Sequence, residues 1–274
     1  MFVAMIGHSV SLGMVRHVSN ELHTFEIIHI TTIMGMLVLM PWFMRQGLAT
    51  FRTRRLGLHI VRAVIAVIGL TAWFHSIAIT PLATAAALSF SAPIFATVLA
   101  VLVLGEKVGI ARWFAVLLGV AGMLIILRPG LVALELGPFL AVMSALAYAV
   151  VLSIIKMLSR TDSSVTILAY VQVLLVPLTF VQALFVWQWP TAEAYMWLLA
   201  IGVIGTTSQL ILTQALKEAE TSVVMPLFFF QLIWLSVIGF IFFSETPSLF
   251  AWIGGAMILT SGTFIAYRES KVKE

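Results

Sequence analysis

The sequence predicts an all-α integral membrane protein, with ten transmembrane helices arranged as two inverted five-helix repeats. Three observations predict it. The 274-residue chain is 62% hydrophobic and only 9% charged, with a mean hydropathy of +1.12, whereas a soluble domain needs about 25% charged residues to cover its surface. Its apolar residues fall in runs of about 20, the length a helix needs to cross the ~30 Å hydrocarbon core of a bilayer. A displacement of 139 positions, the step from Glu106 to Glu245, pairs features of the second half with features of the first.

Taken in order, the apolar runs are bounded by charge, proline or turn residues. The first (2–18) closes at Arg16 and the second (24–44) at Arg45. Arg52, Arg54 and Arg55 precede the third (56–79), and Pro81 separates it from the fourth (82–104), which ends at Gly105-Glu106-Lys107. The fifth (110–128) ends at Arg128, and the sixth (136–158) ends among Lys156 and Arg160. Asp162 precedes the seventh (164–187), Lys217 ends the eighth (193–216), Ser244-Glu245 end the ninth (221–243), and Arg268 ends the tenth (247–267). The first run reaches Arg16 after about 15 residues, ~22 Å of helix, which is short for a crossing and raises the expectation that residues precede Met1. No charged segment leads into it, so no cleavable signal is expected.

Ten spans nearly exhaust the chain. The sequence contains no GxxxxGK[ST] phosphate loop, so any transport is expected to run on an existing gradient, with a proton or another ion as the coupling partner. The net charge of +4 fits basic loops facing anionic lipid rather than nucleic acid. The absence of cysteine excludes disulfides, thiolate metal sites and cysteine nucleophiles. With the N-terminus in the cytoplasm, twelve basic residues fall on the cytoplasmic side: Arg45, Arg52, Arg54, Arg55, Lys107, Arg112, Lys156, Arg160, Lys217, Arg268, Lys271 and Lys273. The outer side receives two, Arg16 and Arg128, and Arg62 lies inside the third run. Because basic residues on short loops stay cytoplasmic, both termini are expected inside. In a bacterium this is the inner membrane.

The 139-residue displacement pairs Leu88 with Leu227, Phe90 with Phe229, Ile94 with Ile233, Val98 with Val237, Glu106 with Glu245 and Trp113 with Trp252. It maps the fourth and fifth helices onto the ninth and tenth. An odd number of helices per repeat inverts the second copy, the arrangement that secondary transporters use for alternating access. The expected halves are residues 1–130 and 131–274.

The stretch ITPLATAAALSFSAPIFATVLAVLVLGEKVGIARWFAVLLGVAGMLIILRP (Ile79–Pro129) resembles the EamA-type domain of the drug/metabolite transporter superfamily. An Ala-rich helix with a mid-helix Pro is followed by Gly-Glu and a Gly-punctuated last helix. LGPFLAVMSALAYAVVLSIIKMLSR and FFSETPSLFAWIGGAMILTSGTFIAY are similar but looser, since Ser244 replaces the Gly and no Pro aligns with Pro93. The resemblance covers essentially the whole chain as two five-helix domains. It implies a transporter of small organic metabolites, and the first repeat looks most like members that handle vitamins or S-adenosylmethionine. Amino-acid-like compounds are also within the family's range.

Ionisable groups inside membrane helices are where function is expected. Arg62 lies roughly 9 Å into the third helix, on a face shared with Ala66, Gly69, Trp73 and Ser76. This face suits a cavity for a substrate with an anionic group and a ring or apolar portion; the other role open to Arg62 is snorkelling to headgroups. His8 with Ser11, Ser144 with Tyr148, Thr206 with Gln209 and Thr213, and Gln231 with Trp234 form polar stripes. Each stripe either bonds a neighbouring helix or lines a wet cavity. The expected substrate-binding set is His8, Arg62, Trp73, Tyr148, Gln209, Gln231 and Trp234. His75, near the outer end and opposite Arg62, is expected at the interface. Proton coupling through His8 or His75 is open, although no deep carboxylate is visible to partner either.

Pro93 and Pro177 are expected to kink helices four and seven, opening a cavity or serving as hinges. Ala115/Gly119 and Ala251/Gly255 give small-residue faces for close packing within the monomer or, as a second reading, in a weak dimer. Glu106 and Glu245 are expected in solvated turns at the membrane surface, each near the N-terminus of the next helix, where the dipole favours an anion. They are read as structural markers of the repeat rather than as proton carriers. The sequence has no HExxH or GxSxG motif and only one Asp, Asp162, so no catalytic residues, metal or cofactor are expected. A membrane enzyme acting on lipid-linked or isoprenoid substrates is the rival class.

Overall fold

A computed structural model describes residues 2–46, 53–104, 109–128, 135–218 and 228–272, which form helices and no strands. In chain order these are α1 (Phe2–Val18), α2 (Thr24–Gln46), α3 (Leu56–Ile79), α4 (Leu82–Ser89), α5 (Ala92–Leu104), α6 (Ile110–Leu127), α7 (Leu136–Leu158), α8 (Ser164–Leu184), α9 (Ala192–Glu218), α10 (Phe228–Phe243) and α11 (Leu249–Val272). Among the described residues, eight segments are long and apolar enough to cross a membrane, and Phe230–Phe243 is a shorter apolar helix. Every predicted run carries helix, and α1, α3 and α7 have the expected bounds.

The departures have local causes. The fourth run is not one kinked helix but two, broken at Phe90-Ser91. Pro93 has no N–H to donate, so it sits in the first turn of α5, where a missing donor costs little. The turn satisfies itself: the Ser91 N–H and Oγ both donate to the Leu88 carbonyl, at 3.1 and 2.6 Å. Helix α8, by contrast, runs unbroken through Pro177. It stops at Leu184, short of the expected 187, because the Gln188 N–H turns away to the Glu26 carboxylate. Helix α11 continues beyond the expected 267, through Arg268 to Val272. Residues 219–227, which include the expected start of the ninth helix, lie outside the described residues.

Two ends of the bundle are defined by their contacts: a near side, where α1 begins, and a far side, where it finishes. Helix α3 packs along α7, α6 along α11, α1 along α9 and α10, and α2 along α8 and α9. Helix α4 is surrounded: Leu82, Ala83, Ala85, Ala86, Ala87 and Leu88 are all buried. Alanine takes little space, so α7, α10 and α11 can all reach α4.

The expectation of close packing within the monomer is met at α6–α11: Ser261 of α11 donates to the Ala115 carbonyl and closes on Gly119, and the backbones come nearest one turn along, at Gly122 and Gly254. A Cβ on Gly122 would lie 2.7 Å from the Gly254 carbonyl oxygen, and one on Gly254 would lie 2.5 Å from the Gly122 carbonyl oxygen. Each glycine therefore accepts its partner's backbone. Gly255 instead faces Ala87 and Leu232. Gly122→Ala and Gly254→Ala are each expected to destabilise the fold by about 1–3 kcal/mol, the usual range for overpacking. Gly57, with nothing within 4 Å of an added Cβ, is the control. Thermal unfolding in detergent checks this, and equal melting temperatures for all three variants would refute the contact.

Candidate functional site

The interior polar groups gather from several helices. On α1, His8 meets Gln231 of α10, with the amide nitrogen 2.9 Å from His8 Nδ1. The Phe2 and Phe230 rings meet edge to face at 4.7 Å beside this pair. In α2, Gly35 leaves room for two polar groups: a Cβ there would lie 2.9 Å from Thr206 Oγ1 of α9 and 3.5 Å from Gln172 Nε2 of α8. Gln172 is absent from the expected set, although an amide flanked by Val171 and Val173 was a readable signal.

Arg62 turns into the bundle. It is 7% exposed, its Nη1 donates to the Ile167 carbonyl of α8 at 2.7 Å, and its Nε has no hydrogen-bond partner among the described residues. Tyr148 of α7 lies within electrostatic reach of it. The Tyr148 side chain is 56% accessible. A buried guanidinium bonded to a backbone carbonyl is a strong binding site for an anion.

The structure thus brings expected residues together in two pairs, His8 with Gln231 and Arg62 with Tyr148. The others are placed differently. Trp73 is half-buried and packs against the main apolar core, and Gly69, on the same face of α3, closes on Ala147 of α7 at 3.0 Å from an added Cβ. The middle of that face is therefore a helix contact and not an opening. Gln209 and Trp234 are exposed on α9 and α10. His75 bonds Thr24, 2.8 Å from a ring nitrogen, and stands 5.5 Å from the His23 ring, at the far side as expected. Glu106 lies outside the described residues.

Glu245 is not solvated as expected. Its side chain is 13% exposed and pairs with Arg16 Nη2 at 3.2 Å, and its Oε2 accepts the Leu82 N–H at 2.8 Å. A carboxylate at the start of α4 answers the free N–H groups and the dipole of that helix. On the near side, Asp162 Oδ2 accepts from Thr53 Oγ1 at 2.7 Å and lies 2.8 Å from His59 Nε2, with both side chains buried. The His59 ring stacks on Tyr170 at 4.4 Å. These two carboxylates lie far from their partners in sequence, which is why the pairs were not foreseen. Among the described residues no three His, Asp or Glu side chains converge as a metal site would require.

Comparison with known proteins agrees with this architecture. The model of the EamA-like transporter family matches residues 1–128 and again 135–267. A riboflavin transporter of Vibrio cholerae is 34% identical over 241 residues, covering 86% of this chain and 80% of that protein. An S-adenosylmethionine uptake transporter of Rickettsia bellii is 26% identical over 269 residues, covering 98% and 92%. A crystal structure with 14% identity superimposes with a TM-score of 0.64 over the whole chain and 97% of its own, which speaks to the fold.

Burial works against the Asp162 carboxylate, but the hydrogen bonds from Thr53 and His59, the His59 charge and the Thr161 hydroxyl outweigh it and hold the group below its ordinary pKa. Its contribution to stability is therefore complete above the ordinary aspartate value of 3.8 and fades as pH falls through the lower folded value. Asp162→Ala is expected to cost about 1–3 kcal/mol at pH 7, because it strands buried donors. Melting temperatures of wild type and variant, followed from pH 7 downward, should converge only at the acid end. A gap that persists unchanged through pH 3 would refute the assignment.

Proposed function

Because the chain belongs to the EamA-like transporter family, it is a multi-pass membrane transporter and not an enzyme, and we propose that it carries a small organic metabolite bearing an anionic group beside an aromatic or apolar portion. In this reading two five-helix halves, residues 1–130 and 131–274, exchange conformations about a central site and move the substrate by alternating access without ATP. His8 and Gln231 form one part of that site and Arg62 and Tyr148 the other, with Gln172 and Thr206 between the helices that carry them. Both termini face the cytoplasm of a bacterial inner membrane, and the protein works as a monomer or weak dimer.

The observation that carries this reading is Arg62, a buried guanidinium whose Nε has no partner among the described residues. A cation in such a place is costly unless something answers it, and a substrate carboxylate would do so. The names of the two relatives supply the candidates to try first. S-adenosylmethionine carries a carboxylate and an adenine ring; riboflavin carries a heteroaromatic ring with no anion. Of the two, Arg62 favours the first type. The His8–Gln231 pair offers a donor and an acceptor to the edge of either heterocycle.

Purified protein in liposomes tests the proposal. Net movement of S-adenosylmethionine, riboflavin or an amino acid without chemical change is expected for at least one of them. Arg62→Ala should lower transport of an anion-bearing substrate about tenfold or more, the scale set by 1.4 kcal/mol per decade, while expression stays within a factor of two. Equal losses of transport and expression, or transport of an anion-bearing substrate unaffected by the substitution, would remove Arg62 from the site.

A further inference from the structure

We infer that Arg16 and Glu245 are the far-side gate of the transport pathway, a pair of positioning residues that must separate before the interior can open on that side. The inference rests on the alternating-access reading above. Arg16, at the end of α1, uses one side chain to hold two things. Its Nη1 donates to the carbonyl of Ile77, at 2.9 Å, and to that of Thr80, at 3.4 Å, at the end of α3. Its Nη2 meets Glu245 Oε1 at 3.2 Å. The second carboxylate oxygen of Glu245 takes the Leu82 N–H, the first of α4. Two charged side chains thus fasten α1, the α3–α4 junction and the α10–α11 junction to one another. Glu245 belongs to the second half of the chain, and every other member belongs to the first.

The backbone is shaped to present this carboxylate. Ser244 adopts a positive φ of 54°, which turns the chain back so that the Glu245 N–H bonds the Gly239 carbonyl at 2.9 Å. Gly239 has no side chain to obstruct the result: a Cβ there would lie 2.9 Å from Glu245 Oε2. A cavity of about 220 Å³ lies on the far side, with Thr80, Pro81, Arg128, Glu135 and Thr246, the neighbour of Glu245, in its wall. Inward of the pair, Ser76 is fully buried and its hydroxyl has no partner among the described residues. The ion pair therefore ties together the segments that carry Thr80 and Thr246, both in the cavity wall, one turn along α3 from buried Ser76.

Its chemistry suits reversible closure. A packed apolar contact in hydrocarbon has no competing solvent, whereas a partly exposed ion pair can exchange its partner for water. The α6–α11 contact, backbone against backbone, offers no such exchange.

The absence of cysteine from the chain makes the test direct. A single reporter, Ser76→Cys, is placed in the full-length protein, which is reconstituted in vesicles and treated with a membrane-impermeant maleimide from either face. With the gate intact the reporter should react slowly from both faces. Glu245→Gln and Arg16→Gln should each speed its reaction from one face about tenfold or more, as a far-open state rises from a minor population of order 1% to a major one. Gly239→Ala, which crowds the carboxylate without removing a charge, should act like the single variants and covers the case in which they do not fold. Unchanged labelling in all folded variants would overturn the gate. A second reporter, Tyr148→Cys, separates this from the underlying reading. If far-side labelling speeds up while reactivity from the other face is undiminished, the gate stands and alternating access falls.

Discussion

Hydrocarbon cannot hydrogen-bond, and every feature of this molecule answers to that constraint. Each backbone donor and acceptor at membrane depth must find a partner within the chain, so the described residues are helical throughout. Where the helical ladder is interrupted before Pro93, Ser91 turns its N–H and hydroxyl onto the Leu88 carbonyl. Where charge enters the bundle, it is met by charge or by backbone: Arg16 by Glu245 and two carbonyls, Asp162 by His59 and Thr53.

The same constraint makes Arg62 and Tyr148 informative. In water, a guanidinium bonded to a single carbonyl would mean little, because solvent would complete its shell. Inside a bundle, a buried guanidinium whose Nη1 holds the Ile167 carbonyl and whose Nε has no partner among the described residues is a property of the site. The distribution of contact types follows the demands of transport. Glycine lets α6 and α11 meet backbone to backbone at Gly122 and Gly254, a joint with no alternative arrangement. The ends of the bundle are joined by polar groups, His59–Asp162 on the near side and Arg16–Glu245 on the far side.

The fold was almost entirely legible in the sequence because membrane helices announce themselves by length and hydropathy, and because α1, α3 and α7 are cut off sharply by charge or proline. The break at Phe90 was legible only as a kink, since the choice between bending and restarting depended on how Ser91 would use its hydroxyl. Within the site, His8, Gln231, Arg62 and Tyr148 were readable one by one as polar residues in apolar runs. Their pairing was not, because His8 and Gln231 are 223 positions apart. Trp73 misled: its place on the Arg62 face suggested a cavity wall, but the small residue between them, Gly69, admits α7 instead.

Glu245 shows where the boundary lies. By itself the sequence determined that this chain is a helical membrane transporter of the EamA-like family, because composition, run length and motif are local properties that survive without knowledge of neighbours. It also marked Glu245 as special through its echo of Glu106. Only the tertiary structure decided what the carboxylate does, since its partners, Arg16 and the Leu82 N–H, arrive from helices that meet it only when the bundle is assembled. A charge in a turn is solvated or buried according to what packs against it, and packing between distant segments is not written in either segment alone.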